Sequence, residues 1–194
     1  NPTGPIWVSR CDTRFFALGV ALSPNGQYAY VTDDLAGVQV IDVSAPAAPS
    51  RVAAYDTGDS AKGVTISSDG RYAFVADGSA GLQVIDLSNA PPPRAGGYDT
   101  SGTPSGVAIS SDGLYAFVAD GSEGLQVIDV SNPTAPTRIG RFDTSGTAMK
   151  VVLSSDGKYA FVADSGAGLQ VIDVSNPSRP TLVGVRSATY SFSD

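Results

Sequence analysis

The amino-acid sequence predicts an all-β chain built from four copies of one four-stranded antiparallel meander, and three observations carry that expectation. An eight-residue stretch recurs: residues 124–131 read Gly-Leu-Gln-Val-Ile-Asp-Val-Ser, and nearly the same letters stand at 37–44, 81–88 and 168–175. A Pro-Asn-Gly or Ser-Asp-Gly turn ends at Gly26, Gly70, Gly113 and Gly157, spaced 44, 43 and 44 residues apart, which is the length of one meander. Hydrophobic residues make up 42% of the chain and charged ones 16%, with 22 Gly and 13 Pro, a composition suited to short strands joined by tight turns. Helix formers that carry charge are scarce, with a single Glu, Glu123, and three Lys.

Each copy reads as four strands, a to d. In the third copy these are residues 106–110 (GVAIS), 115–120 (YAFVAD), 125–130 (LQVIDV) and 137–144 (TRIGRFDT), short runs rich in Val, Ile and aromatics. Strands b and c are apolar at nearly every position, which requires both faces of the sheet to be covered. The Ser-Asp-Gly turn between a and b predicts a type I turn closing in a left-handed glycine. Between c and d stand Asn132, Pro133 and Pro136, or Pro46 and Pro49. Proline lacks the donor that an interior strand needs, so d is the outer edge of its sheet.

Residues 1–13 (NPTGPIWVSRCDT) align without a gap on residues 132–144 (NPTAPTRIGRFDT). The chain therefore holds five d segments but four a-b-c sets. The expected organisation is an outer strand and connector of a preceding blade at 1–18, blades at 19–57, 58–100, 101–144 and 145–188, and a tail at 189–194 that includes Tyr190 and Phe192. There is no signal peptide or initiator Met, and the chain opens within a repeat, so the expected start lies upstream or was cut away.

Meanders with two apolar faces, repeated at this period, predict β-propeller blades around an axis. The run Leu-Gln-Val-Ile-Asp-Val-Ser-Asn-Pro, following Tyr-Ala-Phe-Val-Ala-Asp, resembles the LVIVD repeat of bacterial and archaeal extracytoplasmic proteins. The Ser-Asp-Gly turn resembles the related YVTN propeller repeat. The resemblance spans essentially the whole chain and implies a periplasmic, secreted or cell-surface propeller.

Four blades lie at the lower limit for a propeller. One blade face covers about 300 Å². An open arc would expose two, on the order of 15 kcal/mol if fully apolar, which rivals a domain's stability. A closed four-blade ring, two chains sharing eight blades, or an arc completed by further residues would each cover them. The mid-repeat opening points to the third.

The net charge of −7 disfavours nucleic acid and anionic membranes as partners, and no apolar run approaches a membrane span. Cys11 is the single cysteine, so no internal disulfide can form. Its place is taken by Tyr55, Tyr98 and Phe142 in other copies, which makes it a small core hydrophobe. With no His in the chain, no base of that type is available to activate a nucleophile.

The b–c and d–a loops share one rim. Asp33, Asp77, Asp120 and Asp164 open the b–c loops, which makes them the candidates for Ca²⁺. The competing expectation is that they bond their own turn backbone. Strand-c acids Asp42, Asp86, Asp129 and Asp173 are expected to clamp neighbouring loops, and Gln39, Gln83, Gln126 and Gln170 to make polar ladder contacts. Identical residues in every blade make poor catalytic constellations, so no catalytic residue and no cofactor beyond that Ca²⁺ is expected. One copy departs from the others: Arg14, Phe15 and Phe16 replace Ser-Gly-Thr in the d–a loop, and Trp7 and Leu35 are unique large apolar residues. These five are the candidates for docking a protein partner, although Phe15 and Phe16 could instead pack on a preceding blade. The function that emerges is a non-enzymatic binding or scaffolding propeller. A Ca²⁺- or glycan-binding propeller is the alternative, and a lactonase- or lyase-like enzyme is the more remote one.

Overall fold

A computed structural model describes residues 6–89 and 92–186. The described residues are all-β, with sixteen strands in four antiparallel sheets, each made of four consecutive strands in sequence order. Blade 1 holds β1 (Gly19–Leu22), β2 (Tyr28–Thr32), β3 (Val38–Asp42) and β4 (Ser50–Tyr55). Blade 2 holds β5 (Ala61–Ile66), β6 (Tyr72–Asp77), β7 (Leu82–Asp86) and β8 (Arg94–Tyr98). Blade 3 holds β9 (Gly106–Ile109), β10 (Tyr115–Ala119), β11 (Leu125–Asp129) and β12 (Thr137–Phe142). Blade 4 holds β13 (Thr147–Leu153), β14 (Tyr159–Ser165), β15 (Gly168–Asp173) and β16 (Thr181–Arg186). The one helical element among the described residues is a single 3₁₀ turn at Gly78–Ala80.

Local chemistry explains why each copy folds alike. The a–b turns close in Gly26, Gly70, Gly113 and Gly157, with φ of 69°, 73°, 74° and 70°, the left-handed region in which glycine has no Cβ penalty. The Ser67, Ser110 and Ser154 hydroxyls each donate to the turn Asp and accept the N–H of the following Tyr. Gly37, Gly81 and Gly124 open the recurring stretch at positive φ, where a Cβ would collide with the carbonyls of Tyr55, Tyr98 and Phe142 on the outer strand. Each outer strand shifts register by one residue opposite the Val-Ile pair of strand c, as at Val127 and Ile128.

The innermost strands β1, β5, β9 and β13 lie side by side in that order, and no extensive packing joins β13 back to β1. Close approach there requires glycine. A Cβ at Gly19 would sit 3.0 Å from the Lys62 carbonyl, one at Gly63 2.8 Å from the Ser105 carbonyl, and one at Gly106 2.8 Å from the Lys150 Cα. Blade 4 carries Lys150 at this position, and its Nζ donates to the Ser105 carbonyl at 3.1 Å.

Three apolar clusters, one per blade junction, form the core. The blade 2–3 cluster gathers Phe74, Leu82 and Val84 from one side and Val107, Val118 and Ile128 from the other. Equivalent clusters lie between blades 1 and 2 and between blades 3 and 4. A closed ring of four would need a fourth. Val107 and Val151 are 9% and 5% exposed, whereas the matching Val20 is 66% exposed; Leu82 and Leu125 are fully buried, whereas the matching Leu169 is 46% exposed. The four blades thus form an arc with an uncovered face at each end.

Residues 6–13, within the segment 1–18 expected as the outer strand and connector of a preceding blade, have no ladder partner among the described residues and form no strand there, since a strand needs such a partner. The tail expected at 189–194 lies outside the described residues.

Candidate functional site

The rim aspartates are interblade latches. Asp33, Asp77 and Asp120 are fully buried and Asp164 nearly so. The Thr57 hydroxyl, at the end of blade 1, donates to Asp77 Oδ1 of blade 2 at 2.6 Å, and the Thr100 hydroxyl donates to Asp120 Oδ1 at 2.8 Å. At Asp33 the donors are the backbone N–H groups of Arg14 and Phe15, at 2.7 and 3.1 Å from Oδ2. At blade 4, Gln170 Nε2 bridges the Thr144 carbonyl and Asp164 Oδ2. In each case the connector entering a blade is tied to the end of that blade's strand b. Sequence reading assigns these carboxylates to their own turns. The signal that reading lacks is a threonine, Thr57, Thr100 or Thr144, that recurs in step with the next blade's aspartate twenty residues later.

Burial raises the proton affinity of Asp77 and Asp120. Asp120 is pushed up to about 7, chiefly by desolvation and against the Thr100 hydrogen bond. Asp77 is raised for the same reason, with Thr57 opposing. Asp77 Oδ2 and Asp120 Oδ2 are buried without a hydrogen-bond partner, a costly state for a charged oxygen and a cheaper one for a protonated acid; Asp164 Oδ1 is likewise buried without a partner. Among the described residues no three acidic, His or Cys side chains come together as a metal site would need. Asp33, Asp77, Asp120 and Asp164 come one from each blade.

The other polar repeats act locally. Asp42, Asp86, Asp129 and Asp173, expected to clamp neighbouring loops, instead accept the N–H and hydroxyl of the serine two residues on, at 2.9 and 2.6 Å. These bonds hold each of Asp42, Asp86 and Asp173 below the usual carboxylate range. Gln39, Gln83 and Gln126 fasten the b–c loop through carbonyls three residues earlier.

Four of the five variant residues come together on the blade 1 rim. Arg14 and Phe15 are pinned by their N–H groups to Asp33, Phe16 follows, and Leu35 stands two residues beyond Asp33. Phe15, Phe16 and Leu35 are 55%, 72% and 60% exposed. In blades 3 and 4 the place of Phe15 is held by Gly102 and Gly146, which press against the carboxylates of Asp120 and Asp164. Trp7 is also exposed but lies apart, since Ser9 beside it bonds the Pro46 carbonyl in the c–d loop of blade 1.

A cleft of about 310 Å³ opens between blades 1 and 2, lined by Tyr28, Tyr30, Val52, Ala53, Leu87 and Asn89 among others. At the equivalent places Gly96 and Gly140 touch the next blade's Pro133 and Pro177 carbonyls with no room for a Cβ.

The LVIVD repeat model matches residues 17–57, 58–100, 101–144 and 145–186. Among curated proteins no sequence match is found. Solved structures share the fold at low identity. A functionally unknown protein from Desulfotomaculum acetoxidans superposes with a TM-score of 0.75 at 18% identity, over 91% of this chain and 58% of its own. Kuenenia stuttgartiensis hydrazine synthase gives 0.72 at 21% identity, over 95% and 53%. The Cps50 (Swd1) β-propeller domain of Myceliophteria thermophila gives 0.76 at 14% identity, over 91% and 62%. The chain therefore spans between 53% and 62% of the length of these solved chains. With four repeat matches covering most of its residues, each falling on one blade, the chain belongs to the LVIVD repeat family of β-propellers.

Proposed function

We propose that this propeller is a non-enzymatic, extracytoplasmic binding module that docks a protein partner through the rim of blade 1. The observation that carries the reading is the group Arg14, Phe15, Phe16 and Leu35, where three large apolar side chains stand in solvent on a backbone held by the buried Asp33. A pre-ordered loop loses little entropy on binding, and aromatic and Arg side chains dominate contact energies. The extracytoplasmic placement rests on the family likeness. No helix among the described residues is long and apolar enough to cross a membrane.

The test is capture from an extracytoplasmic fraction by immobilised protein, beside a Phe15→Ser, Phe16→Ser, Leu35→Ser triple variant. A partner held by the parent and lost by the variant, with both melting at the same temperature, supports the reading. A partner retained equally by both, or none at physiological salt, refutes it.

A further inference from the structure

We propose that the open face of blade 1 seats a three-stranded a-b-c meander of this same repeat, carried on the same polypeptide, with which residues 6–13 would pair as the fourth, outer strand. This surface is separate from the Phe15–Phe16 rim, and the inference does not depend on partner docking there.

The first ground is how residues 6–13 are held. Ser9 takes the place that Gly140 has in blade 3 and Gly96 has in blade 2, and Pro46 takes the place of Pro177 and Pro133. Gly140 lies against the Pro177 carbonyl and Gly96 against the Pro133 carbonyl. Ser9 Oγ donates to the Pro46 carbonyl at 2.5 Å. At the other end the connector is tied to Asp33, as Thr57 is to Asp77 and Thr100 to Asp120. Both ends of the segment thus dock on blade 1 as an outer strand docks on the blade that follows it, although the segment has no sheet of its own.

The second ground is the space beneath it. A trough of about 350 Å³ runs between Cys11 and Thr13 of the segment and Leu18, Val20, Val31 and Ile41 of blade 1. Val20, Val31 and Ile41 match Val107, Val118 and Ile128, which blade 2 covers with Phe74, Leu82 and Val84. The missing complement is therefore the Phe of a strand b and the Leu and Val of a strand c, on a sheet whose outer position residues 6–13 already flank.

The third ground excludes a second copy of the chain as occupant. Blade 4 brings its own outer strand, β16, so a blade 4 placed before blade 1 would offer two outer strands for one position. The solved structures that share the fold come from longer chains, of which this one covers 53% to 62%.

The test exploits the repeat. A copy of residues 101–131 joined directly to Asn1 rebuilds a whole blade without a linker, since Asn1 stands where Asn132 follows Ser131. Cys11 is the chain's one cysteine and Trp7 its one tryptophan, so alkylation and fluorescence both report on the segment. Iodoacetamide should modify Cys11 at least about ten-fold more slowly in the extended chain, Trp7 emission should shift, and the melting temperature should rise by about 5 °C. Val20→Asp in the extended chain should restore the parent's alkylation rate; Val20 is exposed in the parent, so that substitution leaves residues 1–194 folded. An extended chain that alkylates and melts as the parent does overturns the proposal. So does a parent that is dimeric by native mass measurement, with Cys11 protection rising with its own concentration. Should the extended chain misfold, the 101–131 peptide added to folded parent decides: saturable protection of Cys11 supports the proposal, and none refutes it.

Discussion

Blades 1 and 3 are written in nearly the same letters, yet one face of blade 1 stands in water while both faces of blade 3 are covered. Val20 and Val107 occupy the same place on the innermost strand, and their exposure is 66% and 9%. The difference teaches that a blade's apolar faces are stabilising only in company. What one repeat contributes to stability is set by its neighbours more than by its own sequence, as in other arrays with nearest-neighbour coupling.

The largest effect that would break this comparison is core truncation. Leu125→Ala, at a fully buried site between blades 3 and 4, should cost about 2–5 kcal/mol, read as a drop in denaturant midpoint. Leu169→Ala, the same residue on the open face of blade 4, should cost about 1 kcal/mol or less. Equal costs would mean that the blade 4 face is covered in solution.

The latches give the next contrast. Thr100→Val removes the donor to buried Asp120 and should cost about 1–3 kcal/mol. At Asp33 the donors are backbone N–H groups, so Thr13→Val should be nearly neutral in the same unfolding measurement.

The pH dependence follows from Asp120, whose folded value near 7 lies above its ordinary 3.8. Folding takes up a proton there, so its contribution is fully present below about 3.8 and is lost as pH rises through about 7. Asp77 is raised in the same sense. The melting temperature should therefore fall by a few degrees from pH 5 to pH 8, and Asp120→Asn should flatten that slope. Acids held low by serine partners, such as Asp69 and Asp112, act oppositely, with stability lost only as pH falls below the usual carboxylate range.

The smallest effect concerns calcium. The rim aspartates sit one per blade under their latches. Millimolar Ca²⁺ should move the melting temperature by less than about 1 °C, whereas a bound ion would raise it.

Much of the fold is legible in the order of residues. The Ser-Asp-Gly turns, the doubly apolar b and c strands and the proline-marked outer strand all stand where the repeat places them, because each rests on chemistry within a few residues. The site is less legible. Asp77 and Asp120 are visible as repeated acids, but their partners Thr57 and Thr100 lie twenty residues away on another blade, beyond the reach of a local pattern.

The repeat, its strands and its turns are written in the chain alone, since backbone conformation and two-faced hydrophobicity are properties of short segments. The packing of blade on blade selects which aspartates are buried as latches, gathers Arg14, Phe15, Phe16 and Leu35 on one rim, and leaves blades 1 and 4 with an uncovered face. Those outcomes depend on which blade leans on which, and burial is a property of a neighbour's presence that identical letters cannot carry.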